Sequence, residues 1–325
     1  MAKRATSPDA VLERLSALRQ VPSSPEFLTE LRKAIAHTSP VVVGRGAELA
    51  ARYDKRELSP DLIAAFDRFN GSRDRDEDKS FAARTAIVRG LADLYAGGEA
   101  ADVYLAAVRM IGNAPPGGGT DSAADLRASA AFGLVTMVHP AALTVCTDLL
   151  ADLAPAVRVA AARALAASGR EGGALVMRLK LQIGDPEPEV LAECVTGLMQ
   201  LLPAESLDVA VRMLRHRDEM VRAAAALAIG ASKLPEVLTR LSEAFDREKE
   251  QSVRKTILIA AASTRSQAAI DWLVSLVSKD PWTAEQAIEA LGPFRLDETV
   301  RQRVGKMIEE HGGTRLTDAY KQVFM

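Results

Sequence analysis

Apolar residues recur along this chain with the period of a helix. Between positions 204 and 215 they fall at Leu207, Ala210, Val211 and Leu214, and later at Ile270, Leu273, Val274 and Val277. The i, i+3, i+4, i+7 spacing places each set on one helical face. A different kind of helix precedes each of these. In 152–165, for example, Asp152 is followed by Val157-Arg158 and an alanine-rich run closed by Leu165. No stretch alternates apolar and polar residues over a strand's length, so no sheet is expected. Proline placement agrees. Ser7-Pro8, Ser24-Pro25, Ser39-Pro40, Ser59-Pro60, Asp185-Pro186 and Asp280-Pro281 each read as an N-cap followed by the first helical residue. There the missing N–H does no harm and the fixed φ suits the helix.

The frame of 152–165 returns along the chain. It starts at 78 with Ala83-Arg84, at 121 with Leu126-Arg127 and at 185 with Val190. It starts again at 216 with Val221-Arg222 and at 248 with Val253-Arg254. Weaker copies begin at Ser39, with Gly44-Arg45, and at Asp280, where Gln286 stands in the arginine's place. From position 121 onward the starts lie 31 to 33 residues apart. A period of this size marks a solenoid, because one helix pair cannot bury its apolar face alone. The second helices are expected at 141–151, 173–183, 204–215, 235–245, 266–277 and 297–309. Capping helices would occupy 1–38, two longer divergent repeats 39–120, six regular repeats 121–311, and a closing helix 312–325.

The pattern carried by Asp121…Arg127, Asp152…Val157-Arg158 and Asp185-Pro186…Val190, with alanine runs at 160–162 and 223–226, resembles HEAT repeats. More narrowly, it resembles the short bacterial repeats known from phycobilisome lyases, over about residues 24–310. The resemblance implies an all-α, right-handed α-solenoid of about eight stacked helix pairs, an armadillo-type superhelix. It also implies a ladder of Asp–Arg pairs between adjacent repeats, with the arginine-bearing helices on the concave side. Carried onto this chain, the ladder is Asp78, Arg84, Asp121, Arg127, Asp152, Arg158, Asp185, Arg222 and Arg254. Leu191 and Gln286 replace the ladder arginine, so two joints are expected to be looser or packed differently.

Composition narrows the function classes. The 57 alanines, against 8 Phe, 4 Tyr and 2 Trp, favour helices over strands. With 41 Lys plus Arg against 43 Asp plus Glu, the formal net charge is −2, which argues against gripping nucleic acid through its phosphates. Arg45, Arg84, Arg127, Arg158, Arg222 and Arg254 would make a basic stripe only if unpaired. All but Arg45 come with an acidic residue near the helix start, and small or apolar residues flank them. No window approaches 18 apolar residues, so no spanning helix is expected, and the first residues lack the apolar core of a signal peptide. Cys146 and Cys194 lie among apolar residues, outside any CxxC pair. They read as buried thiols in a reducing, cytoplasmic compartment.

Candidate chemistry is sparse. There is no HExxH, no GxSxG and no pair of histidines at i, i+4, so no metal, cofactor or catalytic residue is expected and the chain reads as non-enzymatic. The glycine cluster in 113–120 lacks the lysine of a phosphate loop. This segment and 70–79 lengthen their repeats to 43 and 39 residues and should emerge on one rim. Such insertions either form a binding face or are simply tolerated, solvated loops. The candidate partner-binding residues are Arg73, Arg75, Asn113, Pro115, Pro116, Gly117, Gly118 and Gly119. Trp282 is a candidate anchor, unless it fills the core. The expected function is a protein–protein interaction scaffold or adaptor, monomeric or weakly oligomeric, that binds a protein or peptide on its concave face or loop-bearing rim. The alternative is a HEAT-like enzyme such as a bilin lyase, and behind it a DNA-alkylation-repair glycosylase.

Overall fold

The computed structural model describes residues 7–71, 78–112, 121–311 and 313–325. The chain divides into two units, Met1–Gly169 and Arg170–Met325. The first holds α1 (Pro8–Leu18), α2 (Pro25–Ile35), α3 (Pro40–Arg52), α4 (Ser59–Asn70), α5 (Ala82–Asp93), α6 (Ala101–Ala107), α7 (Ala124–Thr136), α8 (Ala142–Leu149) and α9 (Pro155–Ala167). The second holds α10 (Glu171–Ile183), α11 (Pro188–Leu201), α12 (Pro203–Met213), α13 (Glu219–Ser232), α14 (Val237–Arg247), α15 (Gln251–Ser263), α16 (Gln267–Leu276), α17 (Pro281–Ala290), α18 (Glu298–His311) and α19 (Thr314–Phe324). No strand occurs among the described residues, and none of their helices is long and apolar enough to cross a membrane.

Helices this short are marginal on their own and depend on packing. In the first unit α3, α5, α7 and α9 lie side by side as one layer, backed by α2, α4, α6 and α8. In the second, α11, α13, α15, α17 and α19 form the layer, backed by α10, α12, α14, α16 and α18. The two layers differ in sequence for a physical reason. A layer helix touches neighbours on both flanks and behind, so α5 buries Ala83, Arg84, Thr85, Ile87, Val88, Gly90 and Leu91. A backing helix has one buried face, and α14 buries only Val237, Leu241, Ala244 and Phe245. Alanine and glycine keep the layer tight. A Cβ added at Gly230 on α13 would collide with the backbone carbonyl of Ala260 on α15.

The helix starts follow the proline signals in part. Ser7, Ser24 and Asp280 accept hydrogen bonds from the N–H groups of Ala10, Phe27 and Thr283 at 3.3, 3.1 and 3.0 Å. Ser39 makes no such bond, and Ser59 lies inside α4. At Asp185-Pro186 the start shifts to Pro188, because the Asp185 carboxylate turns to accept the N–H of Glu187 at 2.9 Å.

Most layer helices stop in the same way. Asp54, Tyr95, Val138, Gly169, Lys233 and Arg265 sit in the left-handed region just beyond α3, α5, α7, α9, α13 and α15. After three of them the next N–H returns to a carbonyl five residues back: Lys55 to Ala50, Ala96 to Leu91 and His139 to Leu134, at 2.9, 3.0 and 2.9 Å. This is the Schellman closure, usually made by glycine.

Candidate functional site

The joints between repeats are built from one short turn. The side chains of His37, Asp121, Asp152, Asp185, His216 and Glu248 each accept the backbone N–H two residues ahead, at 2.8 to 3.1 Å. Such a turn satisfies donors that the following helix cannot. The frame's arginine then ties the joint. Arg127, with a side chain only 4% exposed, donates from Nε and Nη2 to both oxygens of Asp152 at 2.9 and 2.8 Å. Its Nη1 meets the Met110 carbonyl at 2.9 Å and Asp121 at 2.6 Å. Burial works against the charge on Asp121, yet bonds from the Ala123 N–H, Arg127 and the Gly112 N–H hold its carboxyl below the usual carboxylate range.

In the second unit Arg222 repeats this fork on Glu248, at 2.7 and 3.2 Å, while its Nη1 caps the carbonyls of His216 and Arg217. Glu248 is likewise held below its ordinary range: burial resists, and the Arg222 and backbone bonds prevail. Arg84, Arg158 and Arg254 make further bonds of their own. Arg84 and Asp78 are both buried and bond within one repeat, at 3.0 Å, with the guanidinium 4.0 Å from the centre of the Phe81 ring. Arg158 caps the carbonyls of Asp152 and Leu153. Arg254 donates to the Phe245 and Glu248 carbonyls and to the Thr283 hydroxyl at 3.4 Å. It stacks 3.9 Å over Phe245 and lies 5.8 Å from the centre of the Trp282 ring, which is half-buried.

Two joints lack the arginine. Arg127 reaches 25 residues ahead to Asp152 and Arg222 reaches 26 ahead to Glu248. The same step of 25 from Leu191 arrives at His216, an imidazole in place of a carboxylate. Loss of the cation is matched by loss of the anion. Instead of loosening, α11 and α13 pack over a long interface; in the turn before α11, Asp185 pairs with Lys180 at 2.7 Å. At the other joint the Gln286 Oε1 is buried without a hydrogen-bond partner.

The first unit carries an open groove of about 1350 Å³ across α3, α5, α7 and the start of α9. Its wall is made of small side chains: Ala51, Ala82, Ala86, Gly90, Ala124 and Ala156. Glu48, Arg52, Arg89, Asp93 and Asp125 add charge of both signs, and Arg89 meets Asp125 at 3.5 Å and the Ser129 hydroxyl at 3.1 Å. Two apolar side chains stand at its edge, Ile111 at 79% and Leu153 at 97% exposure. The sequence reading missed this groove, since its residues come from four helices spread over more than a hundred positions. The candidate rim residues Arg73, Arg75, Asn113, Pro115, Pro116, Gly117, Gly118 and Gly119 lie outside the described residues. Both cysteines are buried, and burial pushes each thiol up to about 12, so neither is a thiolate at neutral pH.

Layered helix pairs, joints made of capped turns and arginine forks, and one open groove define a helical-repeat protein. Residues 175–260 match the family model described as HEAT repeats, so α10 to α15 carry repeats of this kind. Among solved structures, a chain of the CpcE–CpcF complex of phycocyanin lyase from Nostoc sp. PCC7120 is 16% identical. That match has a TM-score of 0.43 and covers 81% of this chain and 94% of that one. An engineered protein is 18% identical with a TM-score of 0.42, covering 98% of this chain and 97% of that one. Both TM-scores lie below 0.5, too low to carry a functional inference. No curated protein matches the chain.

Proposed function

We propose that the chain is an interaction scaffold whose first unit holds a segment of a protein partner in the groove over α3, α5, α7 and α9. The observation that carries this is the groove itself. At about 1350 Å³ it exceeds the usual span of small-molecule pockets, roughly 300–1,000 Å³. Its alanine and glycine wall lets a partner backbone or helix come close, and the exposed Ile111 and Leu153 supply apolar contacts at the edge. Affinity in such a surface concentrates in a few buried contacts near the centre. Ala86, half-buried in the middle of α5, is the central position.

The test places a photo-crosslinking side chain at Ala86 or, on the opposite layer, at exposed Thr144 of α8. A defined protein product from position 86 that is absent from position 144 supports the groove. Filling the groove with Ala86→Trp should then weaken binding of that protein by at least about tenfold. Equal crosslinking from both faces, or binding unchanged by the tryptophan, would refute the reading.

A further inference from the structure

The groove over α3, α5, α7 and α9 changes character along its length. One end is made by the starts of α7 and α9 and the joints before them, where Ile111 and Leu153 stand exposed. The other is made by the carboxyl ends of α3 and α5, whose last residues are Arg52 and Asp93. Leu153 departs from the repeat. It follows the side-chain acceptor of its joint, and the same place after the other five acceptors holds Thr38, Ser122, Pro186, Arg217 and Lys249. The turn therefore needs no apolar residue there, and an almost wholly exposed leucine gains nothing from folding.

The charges at the other end are unpaired. Every other charged residue of the lining has a partner: Glu48 meets Arg45, Arg89 meets Asp125, and Asp121 meets Arg127. Arg52 and Asp93 are exposed, and neither forms an ion pair or a side-chain hydrogen bond among the described residues. Arg52 suits the negative end of a helix dipole, whereas Asp93 opposes it. Nothing in the fold calls for a carboxylate at 93.

We infer that the groove takes an amphipathic helix of a protein partner, seated by its apolar face on Ile111 and Leu153 and, further along, by a lysine or arginine on Asp93 and a carboxylate on Arg52. This occupant presupposes the groove proposed above and adds its chemistry and direction. Three steps of about 8–10 Å between neighbouring helix axes make the groove roughly 25–30 Å long, about five helical turns. Ala82, Ala86 and Gly90 recur at every fourth residue of α5, so the side chains of a docked helix can seat along that row. From the apolar end the helix crosses α5 before α3. Its cation therefore precedes its carboxylate by one interaxial step, or about two turns. The opposite order sets like charges against each other at both positions.

The experiment titrates the full chain with two capped, fluorescently labelled, alanine-based helical peptides of about 22 residues. Both carry two leucines one turn apart near the amino end. One then carries a lysine and, two turns further, a glutamate; in the other these two are exchanged, so the composition is identical. Fluorescence anisotropy should show the lysine-first peptide binding about tenfold more tightly than the glutamate-first one. Combining Arg52→Glu with Asp93→Arg should reverse that preference, which an unfolded chain cannot do. Leu153→Ser should weaken both peptides about tenfold. Equal affinity for the two orders, a preference unchanged in the double variant, undiminished binding in Leu153→Ser, or no binding of either peptide overturns the assignment. The proposed function fails separately, when Ala86→Trp leaves binding unchanged; equal affinities that both fall in Ala86→Trp keep the groove and dismiss only the paired charges.

Discussion

Replacing Arg127 with Met tests whether the arginine forks hold the first unit together. Methionine keeps most of the stem's length and apolar contact, so the change removes charge and donors rather than volume. Four contacts go: two to Asp152, one to Asp121 and one to the Met110 carbonyl. Asp152 and Asp121, only 13% and 19% exposed, keep their backbone N–H bonds but lose their counter-charge. Breaking a buried pair from one side costs about 3–5 kcal/mol. If the unit melts cooperatively, that is a fall of roughly 6–20 °C. The control is Arg45→Met, whose pair with Glu48 is exposed at 37% and 58% and whose loss should cost under about 1 kcal/mol. Urea denaturation of both variants gives the comparison, and adding Asp152→Asn to Arg127→Met should recover part of the loss. The pH limb follows with a definite sign. Asp121 titrates below its ordinary value in the folded chain, so its stabilisation is complete above the unfolded carboxylate pKa of about 4 and is lost as pH falls through the lower folded value. Arg127→Met should flatten that acid limb. If it costs no more than Arg45→Met, or leaves the limb unchanged, the forks are not what binds these repeats.

Three further perturbations probe the joints and turns. Leu191→Arg alone should destabilise the second unit by about 3 kcal/mol, and adding His216→Asp should restore at least half by completing a fork; strictly additive losses in denaturant melts would show that the two positions do not face each other. Val138→Asn should raise stability by about 1 kcal/mol, because asparagine tolerates the left-handed region where a β-branched residue is strained; a lower melting temperature would contradict this. Gly230→Ala should cost about 1–3 kcal/mol by forcing α13 away from the Ala260 carbonyl, with faster amide exchange in α13 and α15 as its local sign.

The periodic parts of this molecule were legible because each repeat needs the same few solutions. A turn that caps the layer helix, an arginine six residues on, and alanines where helices touch on both flanks recur at a spacing that one chain displays. Details that break the spacing were not legible. Lys180 serves Asp185 from the preceding helix, and Arg254 rests on Phe245 rather than forking to a carboxylate. Apart from Gly169 after α9, the ends of the layer helices gave no glycine signal, because Tyr95, Val138, Lys233 and Arg265 adopt the left-handed conformation with ordinary side chains. At Tyr95 and Val138 the Schellman bond outweighs a local cost of about 1–2 kcal/mol. The groove was hidden for another reason: no single segment contains enough of it to leave a pattern.

That contrast bears on where binding can evolve in such a chain. On α5, Arg84, Ile87, Val88 and Leu91 face inward and fix the stacking, while Ala82, Ala86, Arg89 and Asp93 face the groove. The two sets interleave at helical spacing and meet at Thr85 and Gly90, so a change at Ala82, Ala86, Arg89 or Asp93 leaves most of the buried set untouched. The ladder supports this separation. Arg127 places its guanidinium between two carboxylates at the helix start, and of that fork only Asp121 reaches the groove lining, so the wall between the groove's charged residues can stay small. A partner is then met by surface that contributes little to folding. Substitutions at Ala86 should alter binding with little loss of stability, whereas those at Arg127 should alter stability first.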